Sequence, residues 1–229
     1  MAEEVTIRPI AHIRTDFAEK FGIPRQSGLA ETLGEIVFEP AYRSADAVRG
    51  LAEFSHIWVI WQFSAVPEDA AFSATVRPPR LGGNARVGVF ASRSPFRPNR
   101  LALSCLELLE VRDCADGPVL IVRGADMLDG SPIYDIKPYL PYADCVPQAR
   151  GGFSATADWP LLDVACSEEL LAEIPEEKRA GLLQVLAQDP RPSYQDDPDR
   201  IYGLLYAGFD VHFRVQGSHL TVVKITAAP

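Results

Sequence analysis

Six arginines and no acidic residue fall between Thr75 and Leu103, in a chain whose formal charge is −9. A positive strip on an acidic protein is a concentrated field of rigid, planar donors suited to phosphate or carboxylate. Arg77, Arg80 and Arg86 lie in its first half and Arg93, Arg97 and Arg100 in its second. Pro78, Pro79, Pro95, Pro98 and the run Gly82-Gly83-Asn84 interrupt it. Most of these guanidinium groups therefore sit on stiff loops rather than along a helix. A second basic loop, Lys20 to Gln26, offers Arg25 and Gln26 as donors beside Pro24. Acidic and aromatic segments follow: Asp126-Met127-Leu128-Asp129, then Asp135 to Tyr142 with Tyr139 between. Each alone reads as a turn. Together, carboxylates, aromatic faces and arginines suit a ligand with a cationic centre and an adenine or ribose.

Several other chemistries are absent from the sequence. It contains no Gly-x-Gly, so neither the dinucleotide fingerprint nor the glycine-rich loop of Rossmann methyltransferases is present. Walker, HExxH and GxSxG patterns are missing too. His12, His56, His212 and His219 are scattered, and His56 within FSHIWVIW reads first as a rim or core histidine. Cys105, Cys114, Cys145 and Cys166 have no metal-ligand spacing, so no metal is expected and the thiols read as reduced. The longest apolar run, Ile57 to Trp61, is strand-sized, so no membrane span is expected. The acidic start, MAEEVTIRPI, is unlike an export signal, and the expected compartment is the cytoplasm.

The elements that must position these residues are mostly short strands. Val5–Ile13, Gly34–Phe38, Ser55–Phe63, Arg86–Ala91, Leu101–Val111 and Val119–Arg123 are apolar or alternating runs bounded by Gly, Pro and Asp. One short helix is expected from Ser44 to about Phe54. A mainly β chain of 229 residues with so little helix points to a barrel or sandwich, not a doubly wound sheet. Small polar residues from Arg150 to Ala157 suggest a boundary, giving units of 1–150 and 151–229. Beyond it, Ser167 to Gln188 reads as helix with a break at Pro175. Three strands follow, Ile201–Tyr206, Phe209–Val215 and Leu220–Ile225, the last two joined by a hairpin turn. The second unit is thus a small α+β domain.

Long strings in this sequence resemble the TrmO family of S-adenosylmethionine-dependent tRNA methyltransferases, also called TsaA-like or YaeB-like. They are KFGIPRQSGL (20–29), AVRGLAEFSHIWVIWQF (47–63), TVRPPRLGGNARVGVFASRSPFRPN (75–99), LDGSPIYDIKPYLPY (128–142), DPRPSYQ (189–195) and IYG (201–203). Arg100-Leu101-Ala102 departs from the family's usual string, and serines replace threonines at Ser92 and Ser131. The resemblance implies a TsaA-like single-sheet β-barrel and a homodimer with the cofactor near the subunit interface. It implies methyl transfer from S-adenosylmethionine to N6 of threonylcarbamoyl-adenosine beside the anticodon of threonine tRNA.

Carried onto this chain, cofactor contacts come from Pro24, Arg25, Gln26, His56, Arg93, Leu103 and the Asp126, Met127, Leu128, Asp129 loop. Asp135, Tyr139 and Tyr142 are candidates for the base that takes the N6 proton. Arg77, Arg80 and Arg86 are expected on tRNA phosphates, and Arg97 either there or on the substrate's carboxylate. Arg191 and Tyr194 are expected to close over substrate from the second unit. Two rival functions stand beside this one: a non-catalytic barrel that binds the cofactor or nucleic acid, and a methyltransferase with another substrate.

Overall fold

The computed structural model describes residues 4–67, 72–78, 85–155, 160–192, 195 and 197–228. Six strands close an antiparallel barrel: β1 (Ala11–Thr15), β2 (Leu33–Phe38), β3 (His56–Gln62), β6 (Leu101–Cys114), β7 (Gly117–Arg123) and β8 (Pro132–Pro138). They run in the order β1-β2-β7-β6-β3-β8, and pairing of Ala11 with Ile133 seals the ring. Alternation in β3 sends Ile57, Val59 and Trp61 inward, where they meet Ile13, Ile36, Leu106, Leu120, Val122 and Ile133. A short hairpin, β4 (Thr75–Val76) and β5 (Val87–Gly88), stands outside the barrel.

The barrel wall contains two departures from the expected elements. Residues 132–138 form a full strand, where acidic and aromatic loop was expected. Their prolines sit at its two ends, where no ladder hydrogen bond is lost. A bulge opposite Ile60 and Trp61 lets both Ile133 and Ile136 pack on the core although three residues apart. The helix expected over Ser44–Phe54 is instead two 3-10 turns, Ala45–Val48 and Leu51–Glu53, parted at Gly50 with φ +81°. Smaller corrections are a first strand starting at Ala11 rather than Val5, and a 3-10 turn at Val89–Ala91.

The second unit is a four-stranded sheet in the order β10 (Tyr202–Tyr206), β11 (Phe209–Gln216), β12 (His219–Ala227), β9 (Asp163–Ala165), with β9 parallel to β12. After α1 (Pro141–Asp144), the helices α2 (Glu168–Leu171) and α3 (Glu176–Ala187) split at Pro175 as the sequence suggests. Ser167 caps α2, accepting from the Leu170 N–H at 3.3 Å. Leu182, Val185 and Leu186 of α3 pack on the sheet through Leu204, Phe213 and Leu220.

This second core draws residues from both sides of the expected 150/151 boundary. Phe17 and Ala30 are buried in it, with Phe21 and Ile23 packed against it. The Phe17 ring meets Tyr206 edge-on at 5.7 Å, and Asp16 pairs with Lys178 of α3. Gln184 accepts from the Glu31 N–H, and Gln188 donates to the Leu29 carbonyl at 2.9 Å. Gly22 has φ +89°, and a Cβ there would lie 2.1 Å from Leu204. Only glycine fits that approach. The basic loop from Lys20 to Gln26 is therefore pinned to the second core while it reaches toward the barrel.

Candidate active site

One end of the barrel opens into a cleft of about 790 Å³. Its walls come from the Lys20–Gln26 loop, the end of β3 with the following residues 63–67, the Arg93–Arg97 loop, the start of β6, and Asp126 to Ser131. In an antiparallel barrel the end of β3, the start of β6 and the residues after β7 all emerge on the same rim. Phe63, Phe96, Leu101 and Leu103 give the cleft apolar surface; Leu103 is 49% exposed and Phe96 50%.

A polar relay runs from the core to the cleft floor. The Trp61 indole N–H donates to Ser104 Oγ at 2.9 Å, and the Ser104 hydroxyl donates to Asp126 Oδ1 at 2.6 Å. Burial pushes the Asp126 carboxyl up to about 6. Hydrogen bonds from Ser104 and from backbone N–H groups, and the nearby Arg93 charge, oppose that rise. Arg93 donates to the Gln26 side-chain carbonyl, and the Gln26 amide donates to the Arg25 carbonyl. A half-buried carboxylate and an apolar wall thus face a rim of oriented cations. Such a site suits a ligand with its own positive centre, a carboxylate and a flat ring.

Pro24, Arg25, Gln26, Arg93, Leu103, Asp126 and Leu128 are brought together at this cleft. His56 is not: it begins β3 at the far end, its Nδ1 2.9 Å from Ser55 Oγ. Met127 is buried in the barrel core, because neighbours along an extended segment face opposite ways. Asp129 turns away to accept the Thr15 N–H at 2.9 Å.

The three candidate bases also lie off the cleft. Asp135 is on the barrel wall, ion-paired to Lys137 at 2.8 Å and accepting the Ile136 N–H at 2.9 Å. Tyr139 packs against Trp58 at 5.8 Å, and Tyr142 is 87% exposed. Trp58 donates to Asp144 at 3.0 Å, which also accepts the Leu140 N–H at 2.8 Å.

Among the arginines, Arg97 lines the cleft but its Nη2 donates to the Ser92 carbonyl at 2.9 Å, bracing its own loop. Arg100 stands at φ +49° and reaches the Val66 carbonyl at 3.4 Å, so this departure ties the 97–100 turn to the loop after β3. Arg86 is exposed on the hairpin and donates to Thr75 Oγ1 at 3.2 Å. Arg77 and Arg191 line an adjoining groove of about 640 Å³. Arg80 and Tyr194 lie outside the described residues.

The sequence reading missed Trp61, Ser104, Ser131 and the whole run Phe63–Pro67. The run after β3 carries no charge, and the one available clue was its place at the end of a strand that also supplies the core.

Comparison with known proteins agrees with this geometry. The tRNA-methyltransferase O N-terminal domain family matches residues 12–145, and the TrmO C-terminal domain family matches residues 160–228. The chain is 42% identical over 225 residues to the tRNA (adenine(37)-N6)-methyltransferase of Escherichia coli K12, covering 94% of this chain and 95% of that one. It is 48% identical over 175 residues to the enzyme of the same name from Eikenella corrodens, covering 76% of this chain and 98% of that one. The solved structure of TrmO from Pseudomonas aeruginosa superposes with a TM-score of 0.79 at 32% identity, over 98% of this chain and all of that one. Barrel, mixed sheet and both matched domains agree along nearly the whole length: the chain belongs to the TrmO family of tRNA methyltransferases.

Proposed function

We propose that the barrel-end cleft binds S-adenosylmethionine and that this chain, a tRNA (adenine(37)-N6)-methyltransferase, acts there on threonylcarbamoyl-adenosine beside the anticodon of threonine tRNA. The observation that carries the reading is Asp126, a half-buried carboxylate at the floor of a cleft with apolar walls, rimmed by Arg25 and Arg93. An ionised group in that position is costly until a cation lies against it, which the sulfonium and amino groups of this cofactor provide. When bound, the cofactor supplies an electrophilic methyl group that passes to N6, with release of a thioether and one proton.

The protein's part is mainly positional. Arg93 and Arg25 offer donors for the methionyl carboxylate, with Gln26 holding Arg93 in place. Phe63, Phe96 and Leu103 present surface for a base, and their packing excludes water from the reacting atoms. Ser104 and Trp61 fix the orientation of Asp126. Arg86 on the hairpin is placed to meet tRNA phosphate.

A homodimer belongs to the same reading. Leu103 and Cys105 of β6, Ile60 and Trp58 of β3, and Tyr139 form a continuous outer face that starts at the cleft rim. A second copy on that face closes one side of the cleft. The expected compartment is the cytoplasm, where tRNA is modified; among the described residues no helix is long and apolar enough to cross a membrane.

The test is methyl transfer from labelled S-adenosylmethionine into threonine tRNA with and without the threonylcarbamoyl group. The expected result is transfer only into the modified tRNA. Transfer into both would point to another substrate, and cofactor binding without transfer would point to a binding protein.

A further inference from the structure

The groove beside the cleft has an apolar floor and four cations in its walls. Lys20, Arg25, Arg77 and Arg191 line it, with Asp189 as its single acid. That acid is already committed: Arg191 Nε and Nη2 hold its two oxygens at 2.8 and 2.9 Å. The fork forms because α3 ends at Ala187, Asp189 takes φ +50° as the helix stops, and Pro190 forbids its continuation. Asp189 and Arg191 therefore neutralise one another, and the net field of the groove comes from the rest. Lys20 and Arg77 are exposed and make no ion pair with any described residue. Arg77 arrives from the hairpin, Lys20 from the loop pinned by Gly22, and the remaining wall from the second unit.

Groove and cleft are continuous, sharing Lys20, Ile23, Pro24 and Arg25. From bond lengths, the carboxylate of a threonylcarbamoyl group lies roughly 5–6 Å from the N6 that carries it. An adenine whose N6 faces the methyl group in the cleft thus extends its substituent over the shared wall into the groove. Arg97 was the other candidate for this carboxylate, but its Nη2 is held by the Val89 and Ser92 carbonyls, its Nε is buried without a partner among the described residues, and it lines the cleft rather than the groove.

We propose that Arg77 and Lys20 bind the free carboxylate of the N6 substituent in the groove between the hairpin and the residues 188–192, so that an adenine lacking that carboxylate is left without its anchor. This assignment rests on the methyl-transfer reading above and adds how the modified adenine is chosen. Arg77 sits one residue after β4 and directly before Pro78, so its backbone is restricted where its exposed side chain lines the groove. The closed Asp189–Arg191 fork walls off the one group that would repel an anion.

The experiment compares Arg77→Met and Lys20→Met with wild type, using two tRNAs: one with the free threonylcarbamoyl carboxylate and one with that carboxylate converted to an amide. Wild-type methylation of the first tRNA is the control for the parent reading; its failure sinks that reading before the groove is tested. The groove assignment expects Arg77→Met to raise KM for the free-acid tRNA about 10- to 100-fold, the size of a lost charge-assisted contact, with little change in kcat. It also expects Arg77→Met to treat acid and amide alike, while wild type prefers the acid by a similar factor. Lys20→Met should show the same pattern more weakly. Equal losses on both tRNAs with a shallower salt dependence would place Arg77 on a phosphate instead and overturn the assignment. Unchanged KM in both variants would overturn it as well.

Discussion

Strand β3 has two polar ends that look alike in sequence and differ in chemistry. At one end, Trp61 donates to Ser104 and Ser104 to Asp126, and the relay stops at a half-buried carboxylate facing open space. At the other, Trp58 donates to Asp144, whose second contact is the Leu140 N–H, and His56 leans on Ser55. The second network lies at the surface, where its exposed groups meet water and, among the described residues, no cavity awaits a ligand. The first is left one charge short. The difference shows that an aromatic donor paired to an acid is not in itself a site; what matters is whether the chain terminates in a cavity.

The sharpest way to break this contrast is Arg93→Ala. It should raise the dissociation constant for S-adenosylmethionine about 10- to 100-fold by calorimetry, as expected for loss of a charge-assisted contact. An unchanged affinity would remove Arg93 from the site and leave the cleft without its defining cation.

Next in size is Asp126→Asn, read against pH. With the folded carboxyl raised to about 6 and the unfolded one near 4, the folded state holds a proton that the unfolded chain releases. Stability of the ligand-free protein therefore falls as pH rises through roughly 4 to 6, and the full penalty persists above. Asn removes that penalty, so the variant should melt several degrees higher than wild type at pH 8 and differ little at pH 4. Cofactor binding should move the other way. Wild-type affinity strengthens about tenfold as Asp126 ionises, whereas the variant stays flat and no longer prefers the sulfonium over its demethylated thioether. A wild-type affinity that ignores pH between 5 and 7 would contradict the role given to this carboxylate.

The smallest effects are expected at two side chains off the cleft, one on the barrel wall and one exposed at α1. Tyr142→Phe and Asp135→Asn should alter kcat by less than about threefold, within what surface changes do. A tenfold loss in either would mean that side chains off the cleft enter the chemistry, and the contrast between the two ends would fail.

Legibility in the sequence followed the same divide. The core strands were readable where alternation was clean, as in Ser55–Phe63, and the split of the last helices was announced by Pro175. Residues 132–138 were not, because two prolines and Asp135 lower β propensity and the bulge that rescues the strand has no local signature. Ser44 to Phe54 had helical spacing, but Gly50 in a left-handed conformation cuts it into single turns. For the site, charge made Arg93 and Asp126 visible. It could not show that Met127 faces the core while its neighbours on either side line the cleft, nor that Phe63–Pro67 form the opposite wall. Those depend on barrel closure, which pairs strands far apart in the chain.

The segment between β1 and β2 has a consequence for how the enzyme comes into being. Residues 16–31 are made early, yet the groups that hold them, Lys178, Gln184, Leu204 and Tyr206, are made last. During synthesis the barrel strands are complete well before these groups exist, and until then the segment rests on barrel contacts such as the Gly28 N–H on the Gly124 carbonyl and the Cys105 N–H on Ser27 Oγ. A chain cut short after the barrel lacks the contacts from Lys178, Gln184, Leu204 and Tyr206 that hold one side of the segment carrying Arg25 and Gln26. The last-made helix and sheet thus complete the support of a segment made near the start, so the two ends of the chain meet beside the cleft.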